Sequence, residues 1–198
     1  INNQVLPPDA PRNLLAEVIA AERMAELDST SELNIGFPLA GVGRFRISAM
    51  RQRGSIAAVI RFITPEVPPL SSLGLPDVLT ELIMAKRGLL LMVGATGAGK
   101  STTLASMIDY RNENLAGHIL TIEDPVEFLF KNKRSIINQR EIGTDTESLQ
   151  IALKNALRQA PDVILVGEIR DRETMTAALA YAQSGHLCLA TMHANNSY

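Results

Sequence analysis

The octapeptide Gly94-Ala95-Thr96-Gly97-Ala98-Gly99-Lys100-Ser101, followed by Thr102, carries the strongest chemical signal in the chain. It is a complete G-x-x-x-x-G-K-[ST] loop, and each residue type has a reason to be there. Glycines let successive backbone N–H groups curl around an anion. A helix starting near Lys100 turns its positive dipole end toward the same point, and the lysine ammonium reaches the β and γ phosphates. The Ser101 hydroxyl is the expected magnesium ligand. A Gly-rich structural turn is the bland alternative, but here an apolar strand pattern precedes the loop and a helical pattern follows it. Binding of a nucleoside triphosphate, with ATP and Mg2+ as the expected pair, is the consequence.

Such a loop needs acids to hold the metal and direct the attacking water, and two strand ends supply them. Glu123, Asp124 and Glu127 follow Ile122, and Glu168 follows Val166-Gly167. In open α/β sheets ligands bind at the carboxyl edge of the strands, so acids placed there can converge on the phosphates. Spacing alone does not divide the roles among them; Glu123 is the candidate for contact with magnesium through water. Asp171 and Glu173 read as solvated acids. His186 and His193 bracket the last strand and fall on opposite sides of it, which suggests different jobs. Cys188 reads as a small core residue. Arg44, Arg46, Arg51, Arg53 and Arg61 lie on or beside a predicted hairpin, either as a solvated face or as donors to a neighbouring subunit's triphosphate.

The elements that must position these groups follow from hydrophobic patterning. Asn13 to Leu27 reads as one amphipathic helix, with Leu14, Leu15, Val18, Ile19 and Leu27 near one face. Arg44 to Met50 and Ile56 to Ile63 read as a hairpin. The cluster Thr64, Pro65, Pro68, Pro69, Ser71 and Ser72 cannot continue a central strand or a helix, so a domain boundary is expected there. Beyond it, apolar strands Leu89–Val93, His118–Ile122, Val163–Val166 and Leu187–Thr191 alternate with helical stretches near 77–86, 101–113, 146–159 and 171–183. That alternation predicts a parallel sheet covered on both faces.

Composition limits the function classes. The chain has 198 residues, 46% of them hydrophobic and 20% charged, which is ample for a core and too little charge for disorder. A net charge of -2 gives no overall pull toward nucleic acid or an anionic membrane. With 4% aromatic residues there is little from which to build a base-stacking platform, which disfavours a nucleic-acid translocase. One cysteine excludes an internal disulfide framework and suits a reducing compartment. Neither a signal peptide nor a membrane-spanning run is expected in this stretch, and its abrupt ends read as those of a fragment.

Taken together the motifs resemble those of the type II and type IV secretion and pilus motor ATPases, most closely the type IV pilus retraction ATPases of the PilT and PilU kind. The residues carrying the resemblance are the loop at 94–101, the acidic box Thr121-Ile122-Glu123-Asp124-Pro125-Val126-Glu127, and Ile137-Asn138-Gln139-Arg140-Glu141. An atypical Walker B segment, Leu157 to Arg170, and a histidine box, Gly185 to Ala194, complete it. Ala152 to Thr174 and the ending HLCLATMHANN lean toward the PilU form. Ala98 stands where the family's loop usually has serine.

The resemblance implies an α/β fold: a RecA-like P-loop core preceded by the C-terminal part of a PAS-like α+β domain. The implied boundaries are 1–64 for the partial PAS-like domain, 65–75 for a linker and 76–198 for the core, truncated at its C-terminal end. It also implies a hexameric homo-oligomer, cytoplasmic at the inner face of the bacterial inner membrane. The implied partners are a second retraction ATPase and an inner-membrane platform protein, without nucleic acid. Glu168 would be the catalytic Walker B glutamate, Glu127 would help orient water, His186 and His193 would sense the γ-phosphate, and Arg46 and Arg61 would act in trans. The expected output is pilus retraction in an accessory, PilU-like role. Pilus extension or type II secretion would use the same chemistry, and a nucleotide-gated subunit without turnover is the alternative from a different class.

Overall fold

The computed structural model describes residues 5–63 and 66–193. The chain divides into two compact units, Ile1–Thr64 and Pro65–Tyr198.

The first unit opens with two helices where the apolar pattern predicts one. Helix α1 spans Ala10–Val18 and α2 spans Ala21–Thr30, with Ile19 between them in an extended conformation. This break resets the helical phase. Leu15, Ile19, Met24 and Leu27 are buried, while Leu14 and Val18, one step around α1, face solvent. The helices cover one face of an antiparallel sheet made of β1 (Glu32–Leu39), β2 (Gly43–Gln52) and β3 (Ser55–Ile63), in that order. Leu33, Ile47, Ala49 and Ile56 fill the layer between. The hairpin predicted from the arginine-rich strands is present, turned by Arg53 and Gly54, both at positive φ (49° and 81°). Two such residues give the backbone twist that a two-residue hairpin loop requires. Strand β1 has no counterpart among the elements expected from the sequence, and it contains Gly36 and Pro38. As an edge strand pairing only with β2, it tolerates a missing donor.

The second unit is a five-stranded sheet in the order β4-β8-β7-β5-β6, every pairing parallel. Its strands are β4 (Gly88–Val93), β5 (His118–Glu123), β6 (Ile136–Glu141), β7 (Val163–Val166) and β8 (Leu187–Met192). The helices are α3 (Val78–Ile83), α4 (Lys100–Asn114), α5 (Leu149–Ala156) and α6 (Arg172–Gln183). Separate apolar layers sit on the two faces of the sheet. Leu104, Met107 and Ile108 of α4 pack on one side, and Ala152, Ala156, Ala178 and Tyr181 on the other. The interior of the sheet is correspondingly apolar at Ile119, Leu120 and Ile122 of β5, along β7, and at Leu187, Cys188, Leu189 and Ala190 of β8.

Three local findings refine the expectations. Strand β6 was missed because Asn138, Gln139, Arg140 and Glu141 carry no apolar signal; it is an edge strand whose polar side chains have other work. Asp171 is not a free solvated acid: its carboxylate caps α6 by accepting from the Thr174 N–H at 2.7 Å, which holds it below the usual carboxylate range. Finally, the stretch after the expected boundary is anchored to the second unit through Leu70 and the Pro68 carbonyl. A 3-10 turn, Leu70–Leu73, buries Leu70 against Leu104 and Met107, and the Ser106 hydroxyl donates to the Pro68 carbonyl at 2.7 Å.

Candidate active site

The phosphate loop leaves β4 and enters α4 at the carboxyl edge of the sheet. Gly97 and Gly99 adopt φ of 79° and 85°, the left-handed region that a side chain would strain. Because Val93 is in register with Met192, the loop starts beside the end of β8, and the Gly94 N–H donates to the Met192 carbonyl at 3.3 Å. His193 therefore emerges next to the loop lysine. The Lys100 ammonium donates to the carbonyls of Gly94 (2.8 Å) and Ala95 (2.9 Å) and to His193 Nδ1 (3.3 Å).

Ammonium nitrogen has only donors, so Nδ1 of His193 must accept, and the ring proton belongs on Nε2. That nitrogen lies 2.7 Å from Glu168 Oε1. The other oxygen of Glu168 accepts from Arg170 Nε, and Arg170 Nη1 stands 3.7 Å from Asp124. A continuous polar chain, Lys100–His193–Glu168–Arg170–Asp124, thus crosses the carboxyl edge from β4 to β5. Glu168 is its least exposed carboxylate at 19%, against 55% for Asp124.

Glu168 reaches this position because Gly167 lets β7 end against its neighbours. The Gly167 N–H donates to the Ile122 carbonyl at 2.8 Å, and the Thr191 hydroxyl donates to the Gly167 carbonyl. A methyl group at 167 would stand 3.2 Å from both Glu123 Cα and the Ile122 oxygen.

The acidic box divides. Glu123 is buried, and its Oε1 accepts from the Thr121 hydroxyl at 2.7 Å and from the Gln139 amide at 3.4 Å. Burial raises its pKa, and these donors oppose the rise. The same carboxylate also meets the loop that follows it. Glu127 is exposed, with its backbone N–H 3.5 Å from Glu123 Oε2. Ser101, in the first turn of α4, has no hydrogen-bond partner for its hydroxyl among the described residues. A free hydroxyl beside the lysine, at a helix N-terminus, fits a magnesium ion carried in with phosphates. Among the described residues no three acidic, histidine or cysteine side chains form a ready-made metal cluster.

His186 does not join the site. It precedes β8, next to Gly88, at the amino edge of the sheet, roughly 20 Å from His193 at about 3.3 Å per strand residue. Its Nδ1 lies 3.0 Å from the Ser184 hydroxyl and 3.3 Å from the Tyr181 carbonyl. The expectation that both histidines meet one phosphate group therefore fails within a single chain. Arg46 and Arg61 lie in the first unit, directly opposite each other on β2 and β3. Their sheet face is the one away from the helices, and among the described residues neither makes an ion pair. Arg51 lies 3.8 Å from Asp28 and Arg53 turns the hairpin. Sequence reasoning gave no role to Arg170, Thr121, Gln139 and Glu141, although each lies in a segment that carries the resemblance; for the last three the available signal was polar residues two apart at the ends of adjacent strands.

The family model described as Type II/IV secretion system protein matches residues 17–198. The chain belongs to this family. It is 48% identical to the Type IV pilus ATPase PilU of Pseudomonas aeruginosa over 204 residues, covering 100% of this chain and 53% of that protein. It is 31% identical to the Type II secretion system protein E of the same organism over 194 residues, 93% of this chain and 36% of that protein. The crystal structure of the pilus retraction motor PilT with bound ADP superposes with a TM-score of 0.92 at 49% identity, covering 96% of this chain and 55% of that one. The chain thus spans about half the length of these pilus relatives.

Proposed function

We propose that this family member belongs to an ATP-hydrolysing motor that works in a hexameric ring and powers type IV pilus retraction, in the accessory role of PilU. The observation that carries the reading is the Lys100–His193–Glu168 chain, which joins a complete phosphate loop to a carboxylate. Identity to the pilus ATPase well above that to the type II secretion protein favours retraction over secretion. In this reading residues 94–102 bind the triphosphate, and Lys100 exchanges its loop carbonyls for phosphate oxygens. Glu168 accepts the proton of the attacking water, and Glu127 orients that water. His193 holds the Glu168 carboxylate and registers the loss of the Lys100 contact when the γ-phosphate arrives. Ser101 would hold Mg2+, which neutralises charge on the β and γ phosphates. Arg46 and Arg61 act on a neighbouring subunit's site: like charges facing each other across two strands are unfavourable unless an anion joins them. The first unit is read as part of a PAS-like domain and the second as a RecA-like core, cytoplasmic, at the inner face of the membrane, with a retraction ATPase and a platform protein as partners.

Two variants of the full-length protein test this. Lys100→Ala should abolish tight magnesium-ATP binding, and Glu168→Gln should keep binding while hydrolysis falls roughly 10²-fold or more. Unchanged affinity in the first variant, or wild-type turnover in the second, rejects the assignment.

A further inference from the structure

Residues 124–135 connect two adjacent parallel strands without any helix, although such connections usually contain one. What fixes this loop is a polar platform beneath it. Thr121 is in register with Gln139, and Glu123 with Glu141, so the four side chains share one face at the carboxyl ends of β5 and β6. Gln139 holds the loop at two points: Oε1 accepts from the Phe130 N–H at 3.0 Å, and Nε2 donates to the Phe128 carbonyl at 2.7 Å. Glu141, 2% exposed, accepts from the Val126 N–H at 3.0 Å and from the Thr144 hydroxyl at 3.2 Å.

These contacts bracket Glu127 on both sides while leaving its side chain exposed. A loop shaped only to satisfy its own backbone could point its N–H groups to water. Here an edge strand commits two polar side chains to the backbone of Val126, Phe128 and Phe130, the residues on either side of one acid.

We propose that Gln139 and Glu141 are positioning residues for the hydrolytic water, acting through the backbone that carries Glu127. This rests on the reading of Glu127 given above, so the test includes Glu127 itself. In the full-length protein, Glu127→Ala, Gln139→Ala and Glu141→Ala should each lower kcat by about 10-fold or more, with KM for ATP changed less than about 2-fold. Glu141→Gln should recover most of the loss, since its amide oxygen still accepts from Val126. In a Glu127→Ala background, the added Gln139→Ala or Glu141→Ala change should cost almost nothing more, the non-additivity of residues acting through one group. An equal further loss in that background overturns the proposal, as does wild-type kcat for Gln139→Ala while Glu127→Ala is impaired. Should Glu141→Ala fail to fold, Gln139→Ala carries the same test. Wild-type turnover of Glu127→Ala alone would reject the role of Glu127 and this inference with it.

Discussion

His193 can face the Lys100 ammonium only through a bare ring nitrogen, and this fixes what its other nitrogen does. With the proton on Nε2, the ring donates to Glu168 and leaves Arg170 as that carboxylate's second partner. His193→Ala should therefore free Glu168 to rotate, lowering kcat roughly 10-fold or more while ATP affinity changes less than about 3-fold. Parallel measurement of turnover and nucleotide binding checks it, and a loss confined to binding would assign His193 to the phosphates alone. At this scale the positions of Lys100 and Glu168 at the carboxyl edge of the sheet were legible from a loop motif and from an acid after a strand, while the role of Glu168 among the acids was not. The ring's double contact was not, since it depends on β8 lying beside β4, which a linear spacing does not encode. For His186 the spacing reading, which put the two histidines on opposite sides of the last strand, agrees with the structure, while the shared γ-phosphate role implied by the resemblance does not bring them together in one chain.

Strands and helices place the site through close contacts at their ends, and Gly167 makes one of these against backbone. Adding a methyl there meets backbone at 3.2 Å on the β5 side, where no flexible side chain can yield. Gly167→Ala should destabilise the fold by about 1–3 kcal/mol. It should also push Glu168 off the His193 contact, so that turnover falls while the phosphate loop, on the far side of β8, still binds nucleotide. Thermal melting and an ATP titration on the same variant separate the two effects. Element types were largely legible where both sheet faces are covered, since most positions of β5, β7 and β8 are apolar. Legibility ended at the edges. Strand β1 tolerates Gly36 and Pro38 because one side needs no partner, and β6 is polar because its side chains hold a loop. The single helix expected over 13–27 divides because Ile19 is extended, and a pattern of apolar residues does not reveal where its phase resets.

The whole molecule raises the question of why Arg46 and Arg61 face each other on one exposed strand pair. Opposed arginines repel by several tenths of a kcal/mol, and among the described residues no carboxylate relieves them. A triphosphate held by an adjacent subunit would. Each substitution to Ala should then lower turnover in the oligomer and leave nucleotide binding to an isolated protomer nearly intact, because the arginine serves another chain's site. The decisive experiment mixes subunits. A protomer lacking Arg46 and Arg61 but intact at Glu168, combined with one carrying Glu168→Gln and both arginines, should restore partial hydrolysis. The first supplies the catalytic carboxylate and the second the cations at a shared boundary. Mixing fractions set the expected recovery, since only boundaries of the productive order contribute, so activity should rise and then fall as the ratio is varied. A flat response in rings of verified composition, together with normal turnover of the arginine double variant alone, would return both residues to a solvated strand face.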